Sequence, residues 1–263
     1  MMSFSLVMGV VGQERAVGQG SADVIYASYT GSQQGVTVRN LKLQQLAYFS
    51  TPFKPAGIAA GTHHDVYLAS GNHLYHYRTN GTLITNMTFP DAGVNYTDIS
   101  ISGDTIYAAY TGSQQGVTVR NLKLQQLSCF STPFTIAGIT AGPHHDVYLA
   151  SRNHLYHYRT NGTLITNMTF PDAGVNYTDV TINGDRVYAS YTGSQQGVTI
   201  RDLELEQLAC FSTPFKISGI TAGTNHDVYL ASGNHLYHYR TNGTLITNMT
   251  FPDAGVNYTD VTR

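Results

Sequence analysis

The stretch Tyr29-Thr-Gly-Ser-Gln-Gln-Gly35 decides the fold, because it returns unchanged at residues 110–116 and again at 191–197. Both spacings are 81 residues, and the longer segment 72–98 is repeated without change at 153–179. Residues 21–263 number 243, three times 81, so the array holds a whole number of repeats. A closed ring is expected to start and stop in the same phase, whereas an open solenoid needs atypical terminal caps.

Each repeat divides into two strand-rich halves of about 40 residues. Within 57–88, short β-type runs are separated by turn segments at 61–64, 70–71 and 79–81, and the last of these contains Asn80-Gly81. Asn-Gly between such runs is a strong hairpin signal, because a type I′ turn needs two positive φ angles. Four short antiparallel strands in about 40 residues are typical of a propeller blade. The sequence therefore predicts an all-β fold, a six-bladed β-propeller built from three near-identical two-blade repeats.

The two ends of the array predict how the ring closes. The chain enters at 23–29 as the second strand of a blade and leaves at 258–262 as a first strand. We expect the C-terminal strand to complete the blade that the N-terminal residues begin, which removes an open sheet edge. Residues 21–263 form the propeller, and residues 1–20 form an N-terminal extension. The extension is interpreted as a signal-like segment, an extra strand, or a strand donated to a neighbouring molecule.

The second half of each repeat resembles the NHL repeat. The segment 65–82 carries the resemblance, and its Asn72-His73-Leu74 returns at 153–155 and at 234–236. The match is clear in alternate blades and general in the others. NHL-type propellers include binding domains for proteins and RNA, secreted lyases and surface proteins. The resemblance therefore implies a propeller fold without choosing an activity.

Composition excludes several classes of partner. The chain has 14 Lys and Arg against 16 Asp and Glu, and charged residues make up only 11% of it, compared with about 25% in typical soluble domains. No basic excess exists to neutralise phosphates, so nucleic-acid binding is not expected. No apolar run approaches the roughly 20 residues of a membrane-spanning helix, so no membrane span is expected. Cys129 and Cys210 occupy equivalent places on different blades, too far apart for a disulfide.

Histidines recur once per repeat in a way that suggests a metal site. His64, His145 and His226 are equivalent, and three imidazoles are a common zinc ligand set. They follow the inner strands of alternate blades, however, so the centre of the ring separates them. We therefore expect no metal and no cofactor.

Catalytic motifs are absent from the sequence. It has no nucleophile elbow, no His-Glu-x-x-His pair and no phosphate loop. Asp65, Asp91, Asp98 and Asp104 occur once per repeat, and we interpret them as residues that satisfy backbone donors at strand starts and turns. Because nearly every loop is present three times with the same residues, we expect a protein that is not an enzyme.

The leading hypothesis is a non-enzymatic, multivalent propeller with three equivalent sites for glycan or protein surfaces, placed outside the cell or on its surface. We predict one set of binding residues per repeat. The three sets are His64, Asp91, Asn95 and Tyr96; His145, Asp172, Asn176 and Tyr177; and His226, Asp253, Asn257 and Tyr258.

Asn-x-Thr sequons predict glycosylation. We expect those on turns and outer strands to be accessible. They begin at Asn80, Asn86, Asn161, Asn167, Asn242 and Asn248, and three more begin at Asn95, Asn176 and Asn257. The alternative is that Asn and Thr serve only as turn and strand residues, copied three times.

Two other functions fit the same sequence. One is a self-assembling extracellular subunit of a filament or surface layer, glycosylated and linked to copies of itself through residues 1–20. The other is an NHL-like metal-dependent lyase or hydrolase with its metal in the channel.

Overall fold

The computed structural model describes residues 24–91, 93–172, 174–253 and 255–263, so the predicted extension 1–20 lies outside the described residues. The described chain forms six antiparallel sheets of four strands each. This arrangement confirms the all-β, six-bladed β-propeller.

The six blades follow the chain, with the innermost strand of each named first below. Blade 1 contains β24 (Val256–Thr262), β1 (Val24–Gly31), β2 (Gly35–Asn40) and β3 (Gln45–Ser50). Blade 2 contains β4 (Gly57–Ala60), β5 (Asp65–Ser70), β6 (His73–Arg78) and β7 (Leu83–Thr88). Blade 3 contains β8 (Val94–Ser102), β9 (Thr105–Gly112), β10 (Gly116–Asn121) and β11 (Gln126–Ser131).

The remaining blades repeat blades 2 and 3 along the chain. Blade 4 contains β12 (Gly138–Ala141), β13 (Asp146–Ser151), β14 (His154–Arg159) and β15 (Leu164–Thr169). Blade 5 contains β16 (Val175–Asn183), β17 (Arg186–Gly193), β18 (Gly197–Arg201) and β19 (Gln207–Ser212). Blade 6 contains β20 (Gly219–Ala222), β21 (Asp227–Ser232), β22 (His235–Arg240) and β23 (Leu245–Thr250).

The ring closes as the phase of the repeats predicts. Strand β24 pairs antiparallel with β1, from Tyr26 opposite Thr262 to Gly31 opposite Val256. Blade 1 thus combines the first described strand with the last. The inner edge of blade 1 is thereby paired by the end of the same chain.

Successive strands alternate in direction, so the loops fall on two opposite faces of the ring. The turn face carries the turns between first and second strands, such as 61–64, and between third and fourth strands, such as 79–82. The connection face carries the turns between second and third strands, such as 71–72, and the segments between blades, such as 51–56.

The core lies between neighbouring blades. One cluster joins Tyr67 and Leu74 of blade 2 to Val94, Tyr96 and Ile99 of blade 3, and related clusters recur around the ring. Blade faces are therefore apolar on both sides, which leaves the loops and outer strands to carry polar groups.

Candidate functional site

Clefts open on the turn face beside blades 2 and 4. The blade 2 cleft has a volume of about 520 Å³ and lies between the turns 61–64 and 79–82; its lining includes His63, His64, Arg78, Asn80 and Ile84. The blade 4 cleft measures about 490 Å³ and is lined by the equivalent residues. These volumes fall in the range of small-ligand sites, roughly 300–1,000 Å³.

Blade 6 carries the same two turns with one change. The pairing of β21 with β22 repeats that of β5 with β6, with Asp227 opposite Arg240 as Asp65 is opposite Arg78. Asn225 stands where the first two copies have His63 and His144. The third copy therefore has one imidazole fewer at this turn.

The second histidine of the turn has an unusual backbone in every copy. The φ angles of His64, His145 and His226 are 55°, 55° and 54°, in the left-handed region. Non-glycine residues are uncommon there, although His, Asn and Asp are enriched. All three residues are exposed. Such backbone conformations cluster at ligand-binding sites, where neighbouring structure maintains them.

A buried carboxylate in the lining of the blade 2 cleft is already paired. Asp65 contacts Nε2 of His76 through Oδ2, and its Oδ1 accepts a hydrogen bond from the backbone N–H of His63 at 3.3 Å. The His76 ring stacks on Tyr67 with centroids 4.0 Å apart, and the Tyr67 hydroxyl donates to the carbonyl of Leu122 in blade 3 at 3.0 Å. Asp65 therefore supports the turn and is not a free carboxylate for a ligand.

The structure corrects the placement of the predicted tyrosines. Tyr96 lies within β8 at only 2% exposure, with its ring edge against Phe89 and its hydroxyl accepting a hydrogen bond from Arg120 Nη2 at 3.2 Å. Burial raises the pKa of the Tyr96 hydroxyl. Tyr177 and Tyr258 are buried in the same way. The expectation that these tyrosines lie in ligand-facing loops is wrong, because they fill the core between blades.

The other predicted residues divide between the two faces. Asp91 and Asn95 are exposed, and they lie on the connection face, where the backbone N–H of Tyr96 donates to the carbonyl of Gly71 at 2.6 Å. His64 lies on the turn face. The structure therefore does not bring each predicted set together. Asp172, Asn176, Asp253 and Asn257 lie with the connection face, and His145 and His226 lie with the turn face.

The sequons also fall at different places. Asn80 is exposed but lines the cleft, and its Oδ1 accepts a hydrogen bond from the N–H of Thr82 at 3.0 Å. Asn86 is exposed on the outer strand β7. A glycan on Asn80 would fill the cleft, whereas a glycan on Asn86 would leave it open. Asn161 and Asn242 share the turn position, and Asn167 and Asn248 share the outer-strand position.

The inner strands surround a second cavity, the central channel, of about 250 Å³. Asp98 lies in the middle of β8 and joins two blades there. Its Oδ1 accepts from the N–H of Ile99 and its Oδ2 from the N–H of Ile139 in β12, both at 2.7 Å. The equivalent Oδ2 atoms of Asp179 and Asp260 accept from Ile220 at 2.8 Å and from Ile58 at 2.9 Å. Asp98 satisfies backbone donors as expected, but from mid-strand rather than from a strand start or turn.

These three carboxyls form an electrostatic unit, the aspartate ring (Asp98, Asp179 and Asp260). Burial raises the pKa of each well above its ordinary value, and repulsion from a neighbouring member of the ring raises it further.

The described residues contain neither a metal-binding cluster nor a membrane-spanning helix. Within the described ranges, no three His, Cys, Asp or Glu side chains are grouped to hold a metal ion. No helix in the described part of the chain is long and apolar enough to cross a membrane. Cys129 and Cys210 are free and exposed on the outer strands β11 and β19.

Sequence reasoning missed three groups of residues. It did not predict that Arg78 and Ile84 join His64 in one cleft, that His76 and Tyr67 support Asp65, or that the aspartate ring forms at the axis. The available signal for the aspartate ring was Asp98 itself, an acidic residue inside a strand of mostly buried residues, between Tyr96-Thr97 and Ile99-Ser100-Ile101.

Comparison with known proteins supports the fold. No family model matches the chain, and no curated protein matches it significantly. The structure is similar to a protein of unknown function from Bacteroides caccae, with a TM-score of 0.74 and 11% identity over 92% of this chain and 98% of that one. It is also similar to a chain in the crystal structure of BBS1N in complex with ARL6DN, with a TM-score of 0.58 and 15% identity over 84% of this chain and 77% of that one. At such identities the likeness concerns the fold alone, and the blade order makes this chain a six-bladed β-propeller.

Proposed function

We propose that the chain is a non-enzymatic binding propeller, displayed outside the cell, that attaches to glycan-bearing surfaces through three related sites on its turn face. These are the clefts of blades 2 and 4 and the corresponding turns of blade 6. One observation carries the proposal: His64, His145 and His226 have the same left-handed backbone at the same turn of alternate blades. Three similar sites on one face suit multivalent attachment, in which linking weak sites raises the overall affinity by a factor on the order of 10²–10⁴.

Near-identity of the three repeats also favours binding over catalysis. An enzyme needs one asymmetric set of groups, whereas the described turns repeat nearly the same groups around the ring, with Asn225 in place of one histidine. The carboxylate of Asp65 supports this view, because it is already paired with His76.

The proposal includes two finer expectations from the sequence. The first is that blades 2, 4 and 6 are of the NHL type, supported by Asn72-His73-Leu74 at the turn into β6 and by its copies. The second is that Asn86, Asn167 and Asn248 carry glycans, because their outer strands leave the clefts open.

The test removes the imidazoles without changing the turns. Glycine adopts a φ near +55° without strain, so His64→Gly, His145→Gly and His226→Gly preserve the backbone. The full chain is first screened on a glycan array, and the best ligand is then immobilised. Each successive substitution should lower the apparent affinity at least ten-fold, because avidity is lost with each site.

A matched control comes from the opposite face. Asn95→Ala changes an exposed residue of the connection face and should leave glycan binding unchanged. An array that stays blank at high protein concentration would refute the glycan-binding function. Large particles that form without any glycan would instead favour the self-assembling subunit.

A further inference from the structure

The polar groups of the clefts point to a particular class of glycan. We propose that the three turn-face sites, in blades 2, 4 and 6, bind acidic carbohydrates, with the carboxylate or sulfate group held by Arg78, Arg159 and Arg240. This deepens the proposed function and rests on it, since it names the substrate class of the same three sites.

The blade 2 cleft exposes a positive charge. Arg78 is exposed at the cleft in blade 2, whereas the carboxylate beside it, Asp65, is buried and paired with His76. Asp65 also lines the cleft, but its two carboxylate oxygens are engaged by His76 and by the backbone N–H of His63. The exposed charged group that a ligand meets is therefore the Arg78 guanidinium. Guanidinium binds carboxylate and sulfate through two parallel N–H donors, which makes it well suited to an acidic sugar.

Asn80, His63 and His64 add further hydrogen-bond donors to the cleft. The Oδ1 atom of Asn80 already accepts a hydrogen bond from Thr82, so the side chain presents its amide N–H₂ group. The oxygen and nitrogen of an amide side chain are distinguished by their hydrogen bonds, and the donor N–H of Thr82 identifies the Asn80 atom that faces the backbone as the oxygen. The imidazoles of His63 and His64 also carry ring N–H donors. Acceptor-rich anions match this set better than neutral hydroxyls do.

An apolar side chain distinguishes a sugar from a bare anion. Ile84 lines the blade 2 cleft with 46% of its surface exposed, and Ile165 lines the blade 4 cleft with 45% exposed. The C–H face of a pyranose ring can cover such a side chain, whereas an inorganic sulfate cannot. Burial of apolar surface would then add to the charge interaction.

The three copies supply an internal comparison. Asn225 replaces one imidazole in blade 6, so the blade 6 site should bind the acidic ligand more weakly than the other two. The substitution His63→Asn should make the blade 2 site bind like the blade 6 site.

The experiment uses matched sugars and the full chain. Glucuronate with glucose, and glucose 6-sulfate with glucose, differ only in the anionic group; N-acetylneuraminate and sodium sulfate complete the panel. Binding is followed by NMR titration at low salt. We expect at least one acidic sugar to bind ten-fold or more tightly than glucose, and more tightly than sulfate. Raising the salt concentration should weaken this preference.

Arginine variants locate the effect. The triple variant Arg78→Gln, Arg159→Gln, Arg240→Gln should reduce acidic-sugar binding to the level of glucose. Arg152→Gln removes an exposed guanidinium from the connection face and should leave the binding of acidic sugars unchanged. Unchanged binding by the triple variant would overturn the inference.

The failures of the two proposals can be told apart. If no acidic sugar exceeds glucose while His64→Gly and its copies still abolish array binding, the acidic-ligand inference is wrong and the three-site function stands. If sulfate binds as tightly as the acidic sugars, the site is a bare anion site and the inference is also wrong. If the array and the titrations are both blank, both proposals fail.

Discussion

A single residue differs among the three β5–β6-type turns on the connection face. Arg152 in blade 4 has a φ of 49°, and Gly71 and Gly233 occupy the equivalent positions at 53° and 54°. The left-handed conformation costs a residue with a Cβ roughly 1–2 kcal/mol, whereas glycine adopts it freely. The repeat therefore contains a small, local strain in its second copy.

We expect Arg152→Gly to raise the free energy of unfolding by about 0.5–1 kcal/mol. Relief of roughly 1–2 kcal/mol of strain exceeds the roughly 0.5–1 kcal/mol of extra chain entropy that glycine loses on folding. Urea denaturation measures the difference. The reverse change, Gly71→Arg, is the matched control and should lower stability by a similar amount. A Cβ there would have Asn95 Oδ1 as its nearest neighbour, at 3.9 Å, so strain rather than a clash decides the result. A drop in stability for Arg152→Gly would contradict this account.

At the scale of the elements, strand β24 decides whether the ring closes. It brings buried Val256, Tyr258 and Val261 into blade 1 and supplies Asp260, whose Oδ2 accepts from the N–H of Ile58. Without it, β1 would expose an unpaired edge, which is a template for association with other chains.

Deletion of residues 256–263 should therefore destabilise the propeller strongly. Each of the three buried side chains stabilises by roughly 1.5–3 kcal/mol, a large part of the roughly 5–15 kcal/mol that holds a typical domain together. The melting temperature should fall by more than about 10 °C, and size-exclusion chromatography should show association of the truncated chains. A synthetic peptide of residues 256–263 added in excess should pair with β1 and restore the melting temperature. A chain that lacks Arg263 alone is the control. A truncated chain that stays monomeric with its melting temperature unchanged would show that closure contributes little.

At the scale of the whole molecule, the aspartate ring links blades around the axis and makes stability depend on pH. Its pKa values are raised in the folded chain, first by burial and then by mutual repulsion. A group with a raised folded pKa contributes stability that is fully present below its unfolded pKa, about 4 for Asp, and is lost as pH rises through the folded pKa. Stability from the ring should therefore decline as pH rises above about 4.

The difference between the natural chain and Asp98→Asn isolates this effect from other titrating groups. Each carboxyl that keeps its proton only in the folded state adds a slope of about 1.4 kcal/mol per pH unit. Urea denaturation between pH 4 and pH 8 should show a shallower decline for the variant, even though loss of one acceptor lowers its stability by roughly 1–3 kcal/mol at acid pH. Parallel pH profiles for the two chains would show that Asp98 is not protonated in the folded state.

Much of the architecture could be predicted because it follows from local pattern and counting. The 81-residue period, the Asn-Gly turns and the phase of the two ends all lie in the order of residues. Strand pairing between neighbours in sequence follows from turn chemistry, and closure follows from a whole number of repeats. The inner position of β24 and the six blades were therefore predictable.

The site could not be predicted in the same way, because it depends on which face each side chain occupies. In β8 the pairing passes from Tyr96 opposite Tyr110 to Asp98 opposite Ala109, leaving Thr97 as an extra residue. This bulge reverses the alternation of faces, so Tyr96 and Asp98 lie on opposite sides of the blade despite their spacing of two.

By itself, then, the sequence determined a closed ring of six blades with the same groups presented three times, since both features follow from repetition. Only the tertiary structure decided that His64 lies with Arg78 on one face while Asn95 lies on the other, that Tyr96 fills the core, and that the three aspartates line one central channel. Those outcomes depend on strand direction, a bulge and the convergence of distant blades, because contacts across a ring join residues that no local pattern connects.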